Sequence, residues 1–410
     1  MRQFIKRDVD FRNSRRRRWT HRLLKTSVGA VVFAAVIGAA VCISAQSDVA
    51  NRPYKTFDTT PAILAGPLVL DVSDTSAVLL WMTDSPSDAR VRFGEQTPEH
   101  EVIPDEDGLV PVGTMHRVVL EGLKPGTRYR YQAFSRRVVA MKPYWPDRGG
   151  TAESRIAEFT TLDPAKSATR FAVVTDTHDD PARVRDLLAK IGEKGVEFVV
   201  HAGDSMDHAT SERQVRDGFF APMAEGLAGL PMLYVRGNHE TRGEFARTLA
   251  PWLRAQEGHY YYERRQGPLH LYAIDSGEDK SDATRVYAEL NNMRAYRERE
   301  LVWFRETLRQ PVSPPAAFRV MLTHQPEWGW TGMASHVWSQ QASDAGIDLM
   351  ISGHNHRHSW IAPGSGKTFP TLVVGQDQFA VVDVNTNRIQ IEIFGRDGRP
   401  QLKPYSVTRK

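Results

Sequence analysis

The chain of 410 residues holds one cysteine, Cys42. One thiol makes no internal disulfide and no thiolate metal cage, so both are excluded as sources of stability or chemistry. No repeat and no low-complexity segment follows residue 46, which excludes a repeat array. An excess of one charge is also missing where it would count. The formal net charge is +4, but residues 1–26 hold ten Lys and Arg against Asp8 and Asp10. Without them 43 basic residues face 47 acidic ones, a net of −4, and no nucleic-acid partner follows from that balance. Long uncharged apolar runs are scarce, and the one of bilayer length is residues 28–45.

That run follows the basic flank and ends on Ile43-Ser44-Ala45, so residues 1–46 read as an export signal cleaved before Gln46. Ser14-Arg15-Arg16-Arg17-Arg18-Trp19 resembles a twin-arginine export address, with an over-charged ordinary signal as the other reading. An uncleaved N-terminal anchor fits the same length. Either way the expectation is an exported chain, periplasmic or extracellular, with membrane contact confined to this segment. Oligomeric state is not legible.

What remains is ordinary globular material, 41% hydrophobic and 25% charged, long enough for two or three cores. Residues 77–82 are apolar on both faces, as an inner sandwich strand is; residues 89–93, 116–120 and 157–161 read as further strands. Pro125-Gly126 followed by Tyr129 and Tyr131 suits a tyrosine corner. Residues 57–162 resemble a fibronectin type III module, an all-β sandwich without a chemical cluster. Residues 136–150, with Arg136, Arg137, Lys142, Tyr144, Trp145 and Arg148, read as an irregular loop, either solvated or leaning over a neighbouring active site.

After a polar linker the pattern changes to alternating strands and helices over residues 168–400. Strands are expected at 171–175, 196–201, 232–235, 269–274, 318–322 and 349–351, then at 371–374, 380–384 and 389–394. Helices are expected from Asp180-Pro181, over 211–227 and over 289–310. Five short motifs fall at the ends of those strands: Asp176-Thr177-His178, Gly203-Asp204-Ser205-Met206-Asp207, Gly237-Asn238-His239-Glu240, Thr323-His324 and Gly353-His354-Asn355-His356. Parallel strands bring such ends to one edge of a sheet, where residues distant in sequence converge. Carboxylates, imidazoles and one amide oxygen make a mixed O/N set that suits Mn, Fe, Zn or Co over Ca or Mg. There are enough ligands for two ions, with Asp204 placed to bridge them.

This motif set resembles the calcineurin-like metallophosphoesterase superfamily over about residues 170–356, and with the module in front it is similar to the purple acid phosphatase-like branch. The resemblance implies a core of two packed β-sheets flanked by helices. It implies Asp176, His178, Asp204 and His356 on one metal, and Asp204, Asn238, His324 and His354 on the other. His239 matches the catalytic histidine and Asp207 the carboxylate that orients it. Two departures stand out: Asp207 occupies the place of a metal-bound tyrosine, and His178 is present where a histidine is usually lacking, so a coloured ferric tyrosinate is not implied.

The activity implied is hydrolysis of small phosphate mono- or diesters by a hydroxide bridging two divalent or trivalent metals, with His239 protonating the leaving group or stabilising the trigonal transition state. Arg242 is a candidate phosphate grip and a solvated arginine is its alternative. His336, with Trp328 and Trp330, is a candidate wall of a leaving-group pocket, aromatic core packing being the other reading of the tryptophans. Two rivals remain: a non-catalytic surface protein stapled by metal, and a dinuclear hydrolase of non-phosphate substrates.

Overall fold

The computed structural model describes residues 54–311, 315–326, 335–364 and 366–409, without the side chains of Ser335 and His336. The expected export segment 1–46, with Cys42, and Trp328, Trp330 and the His336 side chain lie outside the described residues. Among the described residues no helix is long and apolar enough to cross a membrane.

Two sheets carry the C-terminal two-thirds. In the first, Ala168–Val174, Phe198–Ala202 and Met232–Val235 run parallel, continued on one side by the antiparallel strands Gln378–Asn385, Arg388–Gly395 and Tyr405–Thr408. In the second, Leu269–Ile274, Phe318–Thr323, Leu349–Ser352 and Thr371–Val373 run parallel, edged by Tyr262–Gln266 and Ser359–Ile361. Alternation along each strand explains the layering. Phe171, Val173, Phe198 and Val200 meet Leu271, Val320, Leu322 and Ile351 of the other sheet in a shared core. The opposite faces are covered by helices. Ala172 and Val199 pack on Val184, Leu187 and Ile191 of Pro181–Gly192, and Met321 and Met350 pack on Leu301 and Phe304 of Met293–Arg309. Asp180 caps the first of these helices, accepting from the backbone of Ala182 and Arg183.

The strands before residue 162 do not stand apart from this core; Lys55–Lys410 is one compact unit. Leu70 pairs with Met232, so strand Ile63–Leu70 continues the first sheet. In Ala77–Ser87, Leu79 and Trp81 face the inter-sheet core, while Val78, Leu80 and Met82 face the same cluster as Met223 and Leu227. The strand's two-sided apolarity therefore has a different cause from the one expected: its second face is covered by helical residues of the following region. Asp71 pairs with buried Arg264, and Trp252 Nε1 donates to His116 O at 3.1 Å.

Three expectations are corrected. Residues 136–150 are a hairpin, with Arg128–Ala140 pairing antiparallel with Asp147–Glu153. Pro143 and Pro146 confine the irregularity to its tip, Arg148 pairs with Asp88, and Lys142 with Asp147 at 2.5 Å. The helix expected over 211–227 is Glu212–Val215, a π-turn Arg216–Phe220, then Ala221–Leu227. The helix expected over 289–310 is Met293–Arg309, after a short 3-10 turn Arg285–Tyr287, and a further helix, Ser335–Asp344, follows.

Candidate metal centre

Each motif follows a strand whose residues are buried on both faces, so the chain has one place to put polar chemistry: the strand's end. Asp176 and His178 follow Ala168–Val174, Asp204 follows Phe198–Ala202, and Asn238 and His239 follow Met232–Val235, all from the first sheet. His324 follows Phe318–Thr323, and His354 and His356 follow Leu349–Ser352 in the second. The two packed sheets thus deliver ligands from opposite sides.

The backbone there is unusual. Asp176, His178, Asp204, His354 and His356 all have positive φ, from 47° to 72°. Asp and His tolerate this left-handed region better than most residues, and such strain, about 1–3 kcal/mol each, persists where the surroundings over-determine it. The glycines act through space as much as through φ. A Cβ on Gly353 would lie 1.9 Å from Thr175 Oγ1, and one on Gly237 2.2 Å from both the amide nitrogen and Oδ1 of Asp204.

Three groups of donor atoms converge: Asp176, His178 and His356; Asp204, His324 and His354; and His178, Asp207 and His239. His178 Nε2 lies 3.0 Å from His356 Nε2 and 3.8 Å from Asp176 Oδ1. His324 Nε2 lies 3.0 Å from Asp204 Oδ2 and 3.3 Å from His354 Nδ1. Asp204 Oδ2 is also 3.9 Å from His178 Nε2, which puts this carboxylate between the first two groups.

The donor set fits cations. His324 Nδ1 donates to Ala202 O at 2.7 Å and His178 Nδ1 to Asp207 Oδ1 at 2.8 Å. In each neutral ring the other nitrogen then presents a lone pair, and those lone pairs point at further acceptors. Asp176 Oδ1 and Asn238 Oδ1 are buried with no hydrogen-bond partner, which is expensive unless something positive answers them. Without an ion, protons fill that role. Burial opposes charge on His324, but the Asp204 carboxylate overrides it and raises the pKa to about 10. Burial likewise works against the Asp204 anion, yet the His324 charge holds its pKa down at about 2. Asp176 is also held below the ordinary carboxylate range, against burial, by His178 and His356. His201 is the contrast: burial lowers its pKa to about 3, and it stacks on Tyr234 and bonds Thr177 Oγ1 as a neutral core histidine.

Six of the seven expected ligands, Asp176, His178, Asp204, His324, His354 and His356, converge here, and Asn238 follows the strand Met232–Val235 with its Oδ1 buried. His239 stands beside them, its side chain 27% exposed, with Nδ1 2.6 Å from the backbone oxygen of Asp207. That differs from the expected arrangement: Asp207 holds His239 by its carbonyl oxygen, and its carboxylate instead holds His178. Arg242 Nη1 lies 3.2 Å from His239 Nε2, and the rest of its guanidinium is engaged by Glu278, at 2.9 and 2.7 Å, and Asp279. Glu240 belongs to a motif read from the sequence but was assigned no role. Buried, it accepts from Ser205 N and Ser205 Oγ, both at 2.6 Å, and from Tyr234 OH at 2.8 Å. It thereby fixes the turn that carries Asp204; the adjacency Gly-Asn-His-Glu was the available signal.

Comparison with known proteins agrees with this geometry. Residues 169–358 match the family model described as Calcineurin-like phosphoesterase. The chain is similar to mouse (Mus musculus) acid phosphatase type 7, 26% identical over 245 residues, which cover 56% of this chain and 50% of that protein. The match thus spans half the length of that curated relative. In fold the chain resembles a purple acid phosphatase from yellow lupin (Lupinus luteus) seeds, with TM-score 0.60, 14% identity, and coverage of 85% of this chain and 74% of that one. It also resembles PhoD, with TM-score 0.57, 11% identity, and coverage of 86% and 91%.

Proposed function

We propose that the chain is an exported enzyme that hydrolyses small phosphate mono- or diesters at a two-metal centre, with residues 169–358, which match the Calcineurin-like phosphoesterase model, as its hydrolase domain. The observation that carries this is the double convergence of donor atoms, Asp176 with His178 and His356 and Asp204 with His324 and His354, together with the unanswered buried oxygens of Asp176 and Asn238. One cation would be held by Asp176, His178, Asp204 and His356, and the other by Asp204, Asn238, His324 and His354. When bound, ions of the Mn, Fe, Zn or Co type supply charge to the phosphate oxygens and make water a usable nucleophile near neutral pH.

The chain's own residues do the rest. Asp207 and Ala202 fix the rings of His178 and His324 through their Nδ1 atoms, so that the opposite nitrogens face inward. His239, anchored by Asp207 O, turns Nε2 toward the centre, 3.9 Å from Asp204 Oδ2. From there it delivers a proton to the departing oxygen, a contribution of about 10²–10⁴-fold. Arg242, held by Glu278, places Nη1 3.2 Å from that same Nε2, so Nε2 carries the proton only with this guanidinium nitrogen turned aside.

The strands before residue 162 we read as a fibronectin III-like sandwich fused to this domain; the Tyr129 hydroxyl accepting from Lys124 N at 2.9 Å supports that reading. The functional test is a panel of phosphate monoesters and diesters beside peptide substrates, with metal-depleted and metal-restored protein. Turnover of esters alone, lost on depletion and regained with metal, is expected; peptide cleavage or metal-independent turnover would contradict it.

A further inference from the structure

A second concentration of unanswered polar groups lies beyond residues 239–242. Arg236 Nε, Glu240 Oε2, His259 Nδ1 and Asn291 Nδ2 are buried without a hydrogen-bond partner. All four belong to residues lining one cavity of about 450 Å³. Arg247, Arg254 and Arg299 also line it, and none of the three is ion-paired with a carboxylate among the described residues. Arg247 donates only to the Leu290 carbonyl, at 3.1 Å, and the Arg299 guanidinium lies 5.9 Å from the centre of the Tyr296 ring. The cavity's one acid, Glu240, has its other oxygen committed to Ser205 and Tyr234.

This cavity does not stand alone. A neighbouring hollow of about 430 Å³ shares Thr241, Arg247, Leu290 and Asn291 with it and includes Arg242 in its wall. Arg242 touches His239. The two hollows adjoin in one groove, with Arg242, Glu278 and Lys280 at the end beside the residue assigned as proton donor, Arg247 bordering both hollows, and Arg254 and Arg299 in the second. Its outer wall carries Val286 and Leu290, 73% and 68% exposed.

We propose that this groove is a leaving-group subsite for a second phosphate, so that the favoured substrates are esters whose departing group itself carries a phosphate. The proposal rests on the reading of the metal centre as a phosphoesterase site. Guanidinium forks match phosphate oxygens bidentately, and an amide donor such as Asn291 Nδ2 completes such a site. Arg247 and Arg299 are exposed and Arg254 is half-buried, so water solvates them, and a phosphate in the groove would supply the counter-charge that no carboxylate among the described residues gives them. A neutral or aliphatic leaving group would supply none.

The test uses the metal-loaded full chain, propyl phosphate, and short alkanediol bisphosphates of graded length. The wild type is expected to prefer at least one bisphosphate over propyl phosphate by about tenfold or more in kcat/KM, through KM, as befits charged hydrogen bonds. The triple variant R247Q/R254Q/R299Q should lose that preference and keep propyl phosphate kinetics unchanged. Melting-temperature shifts with each ligand read binding without turnover and should show the same loss. A wild type that turns over propyl phosphate with no preference for any bisphosphate, or a variant that keeps the preference, overturns the subsite alone. Neither turnover nor a melting shift with any ester overturns the phosphoesterase reading beneath it.

Discussion

His239 sits next to the assigned ligand Asn238 and Asp207 three residues after Asp204, and the two have different duties. The His239 ring comes no closer to Asp204 than 3.9 Å and is tethered by a backbone oxygen, while its backbone N–H, which donates to Asp204 Oδ1 at 3.0 Å, survives substitution, so removal of the ring should leave the metals in place. His239→Ala is expected to lower kcat by about 10²–10⁴-fold with full metal content, least for nitrophenolate and most for alkoxide leaving groups. Equal losses across leaving groups in a kcat series would remove it from the proton-transfer role. Asp207→Asn should behave differently, because the carboxylate holds His178 Nδ1 at 2.8 Å. Metal affinity at that position should fall about 10–100-fold while the leaving-group dependence stays as in wild type. A titration with a metal-sensitive dye reads the first, and the ester series the second. At this scale the six Asp and His residues that converge were legible because five short motifs of Gly, Asp, Asn and His in succession, each after an apolar strand, are rarely structural. The partner of each ring was not legible, since it depends on which oxygen of Asp207 faces which imidazole.

Strand ends and their glycines carry the next level. Gly353 lies against Thr175 and Asp176, and Thr175 Oγ1 donates to Asp176 Oδ2 at 2.8 Å. Gly353→Ala forces those atoms apart, so a stability loss of about 1–3 kcal/mol and reduced metal content are expected. Unchanged urea midpoint and unchanged metal content would show that the loop has slack. Element boundaries were well foreseen where both strand faces are apolar. They were missed where burial is polar. Tyr262–Gln266 reads as Tyr-Glu-Arg-Arg-Gln and looks solvated, yet it is an ordered edge strand because Asp71 and Glu257, at 2.8 Å, neutralise Arg264. No local pattern announces a partner 193 residues away.

Over the whole molecule, the early strands and the metal-bearing sheets share cores, which makes one histidine a stability sensor. His116 is 3% exposed, stacks on Trp81 and bonds Thr83 Oγ1 at 2.9 Å. Burial lowers its pKa to about 4, only partly offset by the Asp88 charge. The folded pKa lies below the unfolded one of about 6.5, so protons favour the unfolded chain. Stability is therefore full above about pH 6.5 and declines as pH falls toward about 4, by up to about 3 kcal/mol at this site. Urea unfolding at neutral pH and at about pH 5 should show this loss, and His116→Gln should show less of it; an equal loss in the variant would place the sensor elsewhere.

The central claim is that one carboxylate is shared by two cations. Metal content per chain, measured by mass spectrometry on wild type and on Asp204→Asn alongside ester turnover, tests it most directly. Two ions in the wild type, with one or none and no activity in the variant, is the predicted result, because an amide does not supply the charge both cations require. Two ions and near-normal turnover in Asp204→Asn would contradict it.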